Sequence, residues 1–541
     1  MAYYRDLRTF LDVLEERDKL YRFTDRVDKD QELLSLLRVQ QRGLEADQRK
    51  VLLFDNVTDP NGASYVGGVA AGVYGASEEI MALGLGCDTY DEARERWQRG
   101  LENPLDTVMV ESGPVHENVV SGDAIGSLGL DMLPVPVEEP GFSQIIRVGL
   151  PVISRDPETG VRNMGTYNAF LRDRDRIVLG ASPTGHLMRH WRTAMRRGED
   201  LPVAIVIGAT PNILFASSTR VPYATDELSI AGGVAGDPVQ MVPCKTIPLE
   251  VPAYAEIVIE GLLSTKTLEP RLGFGEYPGY INPERNTSPV LKVTAITHRN
   301  DPIFTPILVG FPPVETTMLA SFVISSTLLH HLRVKCGLPV QDAYINGEGG
   351  GITLGVIKVE KGARANAWQI LQAAASHWEA GKYFILVDYD INPRDLQVLI
   401  WAIQWRVRPE RDIQIQRGRR AGLDPSFGPT GSTAGEMDTP GTPRDYFRVL
   451  IDATMKGPYP PVALPARPYM ERAIEMWKQH ADLPELHLRE PWHGYPLGYW
   501  SDEDEMLADL IARGQYKAVG EITAQQQTGA DRAWTPASES H

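Results

Sequence analysis

The sequence predicts a multi-domain α/β enzyme whose middle third is a barrel or a strongly curved β-sheet. Three observations lead there. The chain is 541 residues long, more than one hydrophobic core usually serves, so two or three domains are expected. Between about His116 and Pro313, closely spaced segments rich in Val, Ile and Thr are separated by short polar turns, the pattern of successive strands. Beyond Glu315 the rhythm changes to longer helices alternating with buried strands.

Composition narrows the function classes. With 43% apolar residues, 49 Gly and 40 Pro, the chain reads as a globular, loop-rich α/β enzyme. Its 54 basic and 71 acidic residues leave a net charge of −17, and no Lys/Arg run offsets it, so neither nucleic acid nor an anionic membrane is an expected partner. The three cysteines, Cys87, Cys244 and Cys336, show no CxxC spacing, which argues against a disulfide framework or a zinc ribbon. Charges recur through the first twenty residues and no apolar run of ~18 residues occurs, so no signal peptide or membrane span is expected and the cytoplasm is the default.

Taken in order, the first element is an amphipathic helix with Tyr4, Leu7, Leu11 and Leu14 at three- and four-residue steps and Phe10 beside them. The strand candidate "KVLLFDNV" follows, and then the glycine-rich "YVGGVAAGVYGASEEI". That stretch lacks the ordered GxGxxG spacing of a phosphate-binding loop. The central strands include "LPVISRD", the pair within "RNMGTYNAFLRDRDRIVLGAS", "VAIVIGATP", "AEIVIEGLLS" and "LKVTAITHRNDPIFTPILVG". Later, "KYFILVDYDINPRDLQVLIWAIQWRV" reads as a strand, an Asp/Asn turn and a helix from about Asp395. Asp388, Asp390 and Asp395 in that turn could bind a ligand or metal at a strand's carboxyl end, but capping and turn formation by short acids is the preferred reading. The last fifty residues suggest one helix with aromatic anchors, then a polar, frayed tail after about Gln525.

Among the loops, "RLGFGEYPGY" holds a single acid, Glu276, between glycine and tyrosine, five residues after Arg271. Gly-Pro-Tyr runs are ordinary loop punctuation, so composition alone gives the acid no role.

Several separated stretches nevertheless line up in order with one family. The entry helix "YRDLRTFLDVLEERDKL", the strand pair around "RNMGTYN", "TDELSIAGG" followed by "VPCKTIPLEVPAYAEIVIEG", then "FGEYPGY", "GFPPVETTML" and "VDYDINPRDLQVLIWAI" together resemble the UbiD-type decarboxylases over residues 4 to 440. The resemblance implies reversible, non-oxidative decarboxylation of an aromatic acid through a covalent adduct with prenylated FMN. It also implies an N-terminal α/β domain (1–115), a central split β-barrel of the flavin-reductase kind that binds cofactor and metal (116–315), a C-terminal α/β oligomerisation domain (316–490), and a C-terminal helix and tail (491–541).

Carried over residue by residue, the resemblance implies a divalent metal, Mn²⁺ or else Fe²⁺ or Mg²⁺, on Asn163, His186 and Glu227. These residues lie 23 and 41 positions apart, too far for spacing alone to reveal. An amide oxygen, an imidazole and a carboxylate suit such a cation, which offsets the cofactor phosphate. K⁺ would take Glu227 with backbone oxygens near Ala216 and Thr219. Cofactor contacts would come from Thr166, Tyr167, Asn168, Gly180, Ala181, Ser182, Gly185 and His186, and Glu276 would be the proton donor. The implied partners are a flavin prenyltransferase as cofactor supplier and further copies of the chain in a homodimer or homohexamer.

Three departures from the family pattern bear on substrate. The family's strand arginine falls on Asn168, and its upstream glutamate falls on Arg271, or on Glu269 if the alignment slips by two. A lysine that many relatives carry near Thr433 is missing. Arg271 is therefore expected to orient the leaving carboxylate of the substrate or a second anionic group, since a guanidinium grips a carboxylate bidentately. The substrate is expected to be an aromatic acid, either free or activated as an aryl-CoA thioester such as phthaloyl-CoA. Two competing functions stay open: a flavin-binding oxidoreductase or carrier on the same barrel, and a non-catalytic subunit of a multi-subunit aryl carboxylase.

Overall fold

The computed structural model describes residues 3–282, 286–418, 424 and 446–525. The stretch around Thr433 and the tail beyond Gln525 lie outside the described residues. The chain forms two compact units, one of Met1–Leu386 with Arg408–Asp452, the other of Val387–Val407 with Ala453–His541.

The larger unit opens with the helix Leu7–Glu16, which buries Leu7, Phe10, Leu11 and Leu14 on one face. Asp6 caps it by accepting the Thr9 amide at 2.9 Å, satisfying one of the donors a helix start leaves open. A four-stranded sheet follows from Leu20–Asp28, Val51–Thr58, Gly68–Ala71 and the late strand Ile303–Phe304. The glycine-rich stretch thus becomes a strand, and then a helix, Glu78–Gly84, capped by Ser77.

The β-rich centre closes into an antiparallel barrel of six strands. In chain order these are β1 (Arg147–Arg155), β2 (Arg162–Asp173), β3 (Arg176–Gly180), β4 (Leu201–Ile207), β5 (Ile257–Pro270) and β6 (Thr287–His298). The ladder runs β5-β4-β1-β2-β3-β6, and β6 pairs again with β5 to remove the free edges. Three helices flank it: α1 (His186–Arg197), α2 (Pro211–Ser217) and α3 (Glu227–Ala235).

Beyond the barrel, the helix Glu315–His330 serves two cores at once. Its Met318, Leu319, Phe322 and Val323 pack into the large core shared by the N-terminal sheet and the barrel. Ile324 and Leu328 pack instead with Val340, Ile345, Ile357, Phe384 and Leu386 of a five-stranded C-terminal sheet.

In the smaller unit, Asp395 caps the helix Leu396–Arg406, accepting the Gln397 and Val398 amides at 2.9 and 3.3 Å. Asp388 and Asp390 hold the buried Arg406 guanidinium at 3.0 and 2.7 Å, and Tyr495 donates to Asp390 at 3.0 Å. The three aspartates are therefore engaged in capping and charge pairing. The C-terminal end departs from expectation, with two helices, Asp502–Ala512 and Tyr516–Gln525, in place of one. Between them Gly514 takes a positive φ of 75°, the left-handed turn that ends the first helix. No helix among the described residues is long and apolar enough to cross a membrane.

Candidate active site

Strand register builds the site. Asn168 of β2 lies opposite Gly149 of β1 on one side and Gly180 of β3 on the other. Thr166, Tyr167 and Asn168 therefore sit beside the end of β3, and the chain continues through Ala181, Ser182 and Gly185 directly into α1 at His186. A Cβ on Gly180 would come within 3.1 Å of the Arg271 side chain, so Arg271 lies across the end of β3.

The loop holding Glu276 is a pinned hairpin. Phe274–Gly275 pairs antiparallel with Ile281–Asn282. The Glu276 amide donates to Tyr280 O at 3.0 Å, and the Gly279 amide donates to Glu276 O at 2.8 Å. Gly279 has a φ of 85°, which suits a turn that a side chain would strain. The segment before β1 packs along this hairpin. The Gln144 amide donates to Gly273 O at 2.9 Å, and a Cβ on Gly275 would overlap the Glu139 carboxylate.

Glu276 keeps a little solvent contact at its edge, yet protein surrounds its carboxyl deeply enough that burial pushes it up to about 7. The positive charges of Arg147 and Arg271 and a hydrogen bond from Asn282 pull the other way and only partly offset burial. Such a group exchanges a proton near neutrality, as a general acid must.

The leading charge on Glu276 comes from Arg147, a residue that sequence reasoning missed. Arg147 heads β1 and is only 5% exposed, with Glu138, 6% exposed, against it. The guanidinium donates to Asn168 Oδ1 at 2.8 Å, to Ile307 O at 2.8 Å and to the Glu138 carboxylate. Burial pushes Glu138 up to about 7 despite that cation. Glu139, beside it, receives Ser143 Oγ at 2.5 Å and lies 3.5 Å from Arg38. The doubled acid in "VEEPG" and an arginine at the head of an apolar strand were the available signals.

Glu269 points elsewhere: it pairs with Arg172 at 3.3 Å and Arg176 at 2.9 Å. Those bonds tie its carboxylate to the β2–β3 hairpin.

The three residues expected to hold the metal lie on β2 and at the starts of α1 and α3. Asn163 Oδ1 lies 3.2 Å from His186 Nδ1, and Glu227 Oε2 accepts the Met164 amide at 2.8 Å, next to Asn163 on β2. Burial, then the charge of Arg189, lowers the His186 pKa and keeps the imidazole neutral, the form that binds metals. Ala216 and Thr219 lie at the end of α2, where the Ala216 carbonyl accepts the Thr219 amide at 3.1 Å. Ser217, between them, meets the Thr166 hydroxyl at 2.7 Å.

Three family descriptions match the chain in succession: the 3-octaprenyl-4-hydroxybenzoate carboxy-lyase N-terminal domain over 11–99, its Rift-related domain over 107–312 and its C-terminal domain over 317–453. A phenolic acid decarboxylase of Bacillus subtilis is 29% identical over 442 residues, 80% of this chain and 91% of the relative. Among solved structures, an evolved dimeric form of the UbiD-class enzyme HmfF from Pelotomaculum thermopropionicum, in complex with prFMN, matches with a TM-score of 0.72 at 28% identity, covering 84% of this chain and 95% of its own. The apo 3,4-dihydroxybenzoic acid decarboxylase of Enterobacter cloacae matches with a TM-score of 0.75 at 25% identity, covering 90% and 98%. With three consecutive domains matched across residues 11–453, this chain belongs to the UbiD family of carboxy-lyases.

Proposed function

We propose that this protein catalyses reversible, non-oxidative decarboxylation of an aromatic carboxylic acid with prenylated FMN, and that Glu276 is the proton donor. The observation that carries the reading is the state of Glu276, a carboxyl pushed up to about 7 on a pinned hairpin, under the charges of Arg147 and Arg271. Support for the cofactor comes from HmfF, solved with prFMN. The phenolic and dihydroxybenzoic acid decarboxylases support the substrate class.

The residues present suit such a cofactor and its cations. At Gly180 a side chain would press against Phe170 and Arg271 at 3.0 and 3.1 Å, so backbone alone can front that space. Asn163, His186 and Glu227 offer an oxygen and nitrogen set suited to Mn²⁺, Fe²⁺ or Mg²⁺, and K⁺ would sit between Glu227 and the backbone at Ala216 and Thr219. When bound, prenylated FMN supplies the electron sink for the charge left by departing CO₂.

The rest falls to side chains. Arg271 orients the substrate carboxylate for departure. Glu276 delivers its proton to the ring carbon that has lost CO₂, and removes that proton when the reaction runs as carboxylation. The substrate is an aryl acid, free or as a CoA thioester such as phthaloyl-CoA, and a flavin prenyltransferase supplies the cofactor to an oligomer of this chain. Co-expression with a flavin prenyltransferase, an absorbance spectrum and a CO₂-release screen over aryl acids test this. Turnover that is lost in Glu276→Gln while the cofactor stays bound is expected; unmodified FMN with no CO₂ from any aryl acid would overturn it.

A further inference from the structure

We propose that Arg147 is the positioning guanidinium for Glu276, reaching the site from β1 with Asn168 and Glu138 as its supports, in place of an arginine on β2. The inference rests on Glu276 being the proton donor. Arg147 and Gly149 share one face of β1, as Asn168 and Phe170 share one face of β2, because side chains alternate along a strand. Register sets Gly149 against Asn168 and Arg147 against Phe170. The 2.8 Å bond from Arg147 Nη1 to Asn168 Oδ1 closes that face, and on its other side Arg147 holds Glu138, whose neighbour Glu139 lies against Gly275, the residue before Glu276. The space that an arginine at 168 would enter is thus held by a guanidinium from the neighbouring strand, and a short amide at 168 both makes room for it and accepts from it.

The acid is relocated in the same way. Arg271 stands where relatives keep the upstream glutamate, while Glu138 brings a buried carboxylate to Arg147 from the segment ahead of β1. Carboxylate, guanidinium and Glu276 recur, two of them from new positions. Stability alone does not account for this arrangement. Glu138 Oε2 and Arg147 Nε are buried with no partner among the described residues, and a buried ion pair left partly unsatisfied costs more than an apolar replacement. Among the described residues, the charged and titratable groups around Glu276 include Arg147, Arg271 and Tyr277, with the Glu139 carboxylate against the preceding Gly275. Those around Glu138 are Arg147, Glu139, Arg38 and Glu315.

The test compares Arg147→Met, Arg147→Met/Asn168→Arg and Glu138→Gln. Two readouts are used: kinetics of the loaded enzyme, and infrared titration of the Glu276 carboxyl in the cofactor-free full-length protein with Glu276→Gln as reference. In Arg147→Met, kcat should fall at least about a hundredfold with KM changing less than about threefold, and the Glu276 titration should move up by about one pH unit or more. Returning the charge from β2 in the double variant should restore at least about tenfold of the lost kcat and bring the titration back down. Glu138→Gln, nearly isosteric and so the safer variant for folding, unmasks the Arg147 charge and should move the titration the opposite way, downward. An unmoved titration in both single variants, or a folded double variant no better than Arg147→Met, overturns the proposal. Full turnover in Glu276→Gln would instead remove the donor assignment on which it rests.

Discussion

Replacing Glu276 by glutamine should abolish turnover and, in the cofactor-free protein at pH 8, make the fold more stable. A carboxyl raised from 4.5 to about 7 by burial binds its proton more tightly in the folded chain than in the unfolded one. Below pH 4.5 both states are protonated and nothing is lost; as pH rises toward 7 the unfolded state gives up its proton first, and stability falls. Above 7 the full cost of holding a buried anion is present, about 3 kcal/mol for a shift of that size. Glutamine keeps the shape and the hydrogen bond from Asn282 while removing the anion, so it should recover much of that figure at pH 8. At pH 5 the gain should shrink to under about 1 kcal/mol, because the folded wild type is then protonated. Denaturant titrations of both proteins at the two pH values measure the difference. A variant no more stable than wild type at pH 8, or a gain larger at pH 5, would show that Glu276 is not a buried carboxyl working against its surroundings.

Further outcomes follow from the same geometry. Arg271→Ala should raise KM at least about tenfold, the loss of a charge-assisted pair, while kcat stays within about threefold; steady-state kinetics on the loaded enzyme decide it, and a fall confined to kcat would contradict the clamp. Chelation of the divalent metal proposed at Asn163, His186 and Glu227, or His186→Ala, should release flavin on gel filtration followed by absorbance, because a cation there would offset the charge of the cofactor phosphate. Gly275→Ala should lower turnover in a folded protein, since its Cβ overlaps the Glu139 carboxylate, meets the Gly310 backbone at 3.2 Å and drives that carboxylate from its place against the hairpin; unchanged activity would show that the site tolerates the shift.

Where neighbours in space were also neighbours in sequence, the chain could be read directly. The apolar stripe of Leu7, Leu11 and Leu14 became the entry helix, the turn at 172–176 joined β2 to β3, and Asp395 capped the helix it precedes. Glu276 was legible only through the blocks surrounding it, since a lone acid in a Gly/Pro/Tyr loop has no periodicity to betray it. Arg147 and Glu138 left only faint signals in the sequence, for a physical reason. Their importance comes from strand register, which brings residue 147 to 168, and from a loop packing that sets 138–144 along 273–276. The relocated guanidinium leaves the matched position looking like a simple loss, an asparagine where an arginine is expected, and a linear comparison sees the vacancy without the tenant.

The helix Glu315–His330, built into two cores, makes the barrel a poor candidate for transplantation. Severing the chain after Pro313 would withdraw Met318, Leu319, Phe322 and Val323 from the barrel's side of the core. At ~1.5–3 kcal/mol for each buried apolar side chain, that loss rivals the net stability of a typical domain, ~5–15 kcal/mol. The barrel and the C-terminal sheet should therefore melt as one cooperative block. A cavity cut at Ile324 or Leu328, in a core that holds none of the proposed ligand-binding residues, should still loosen the grip on the cofactor.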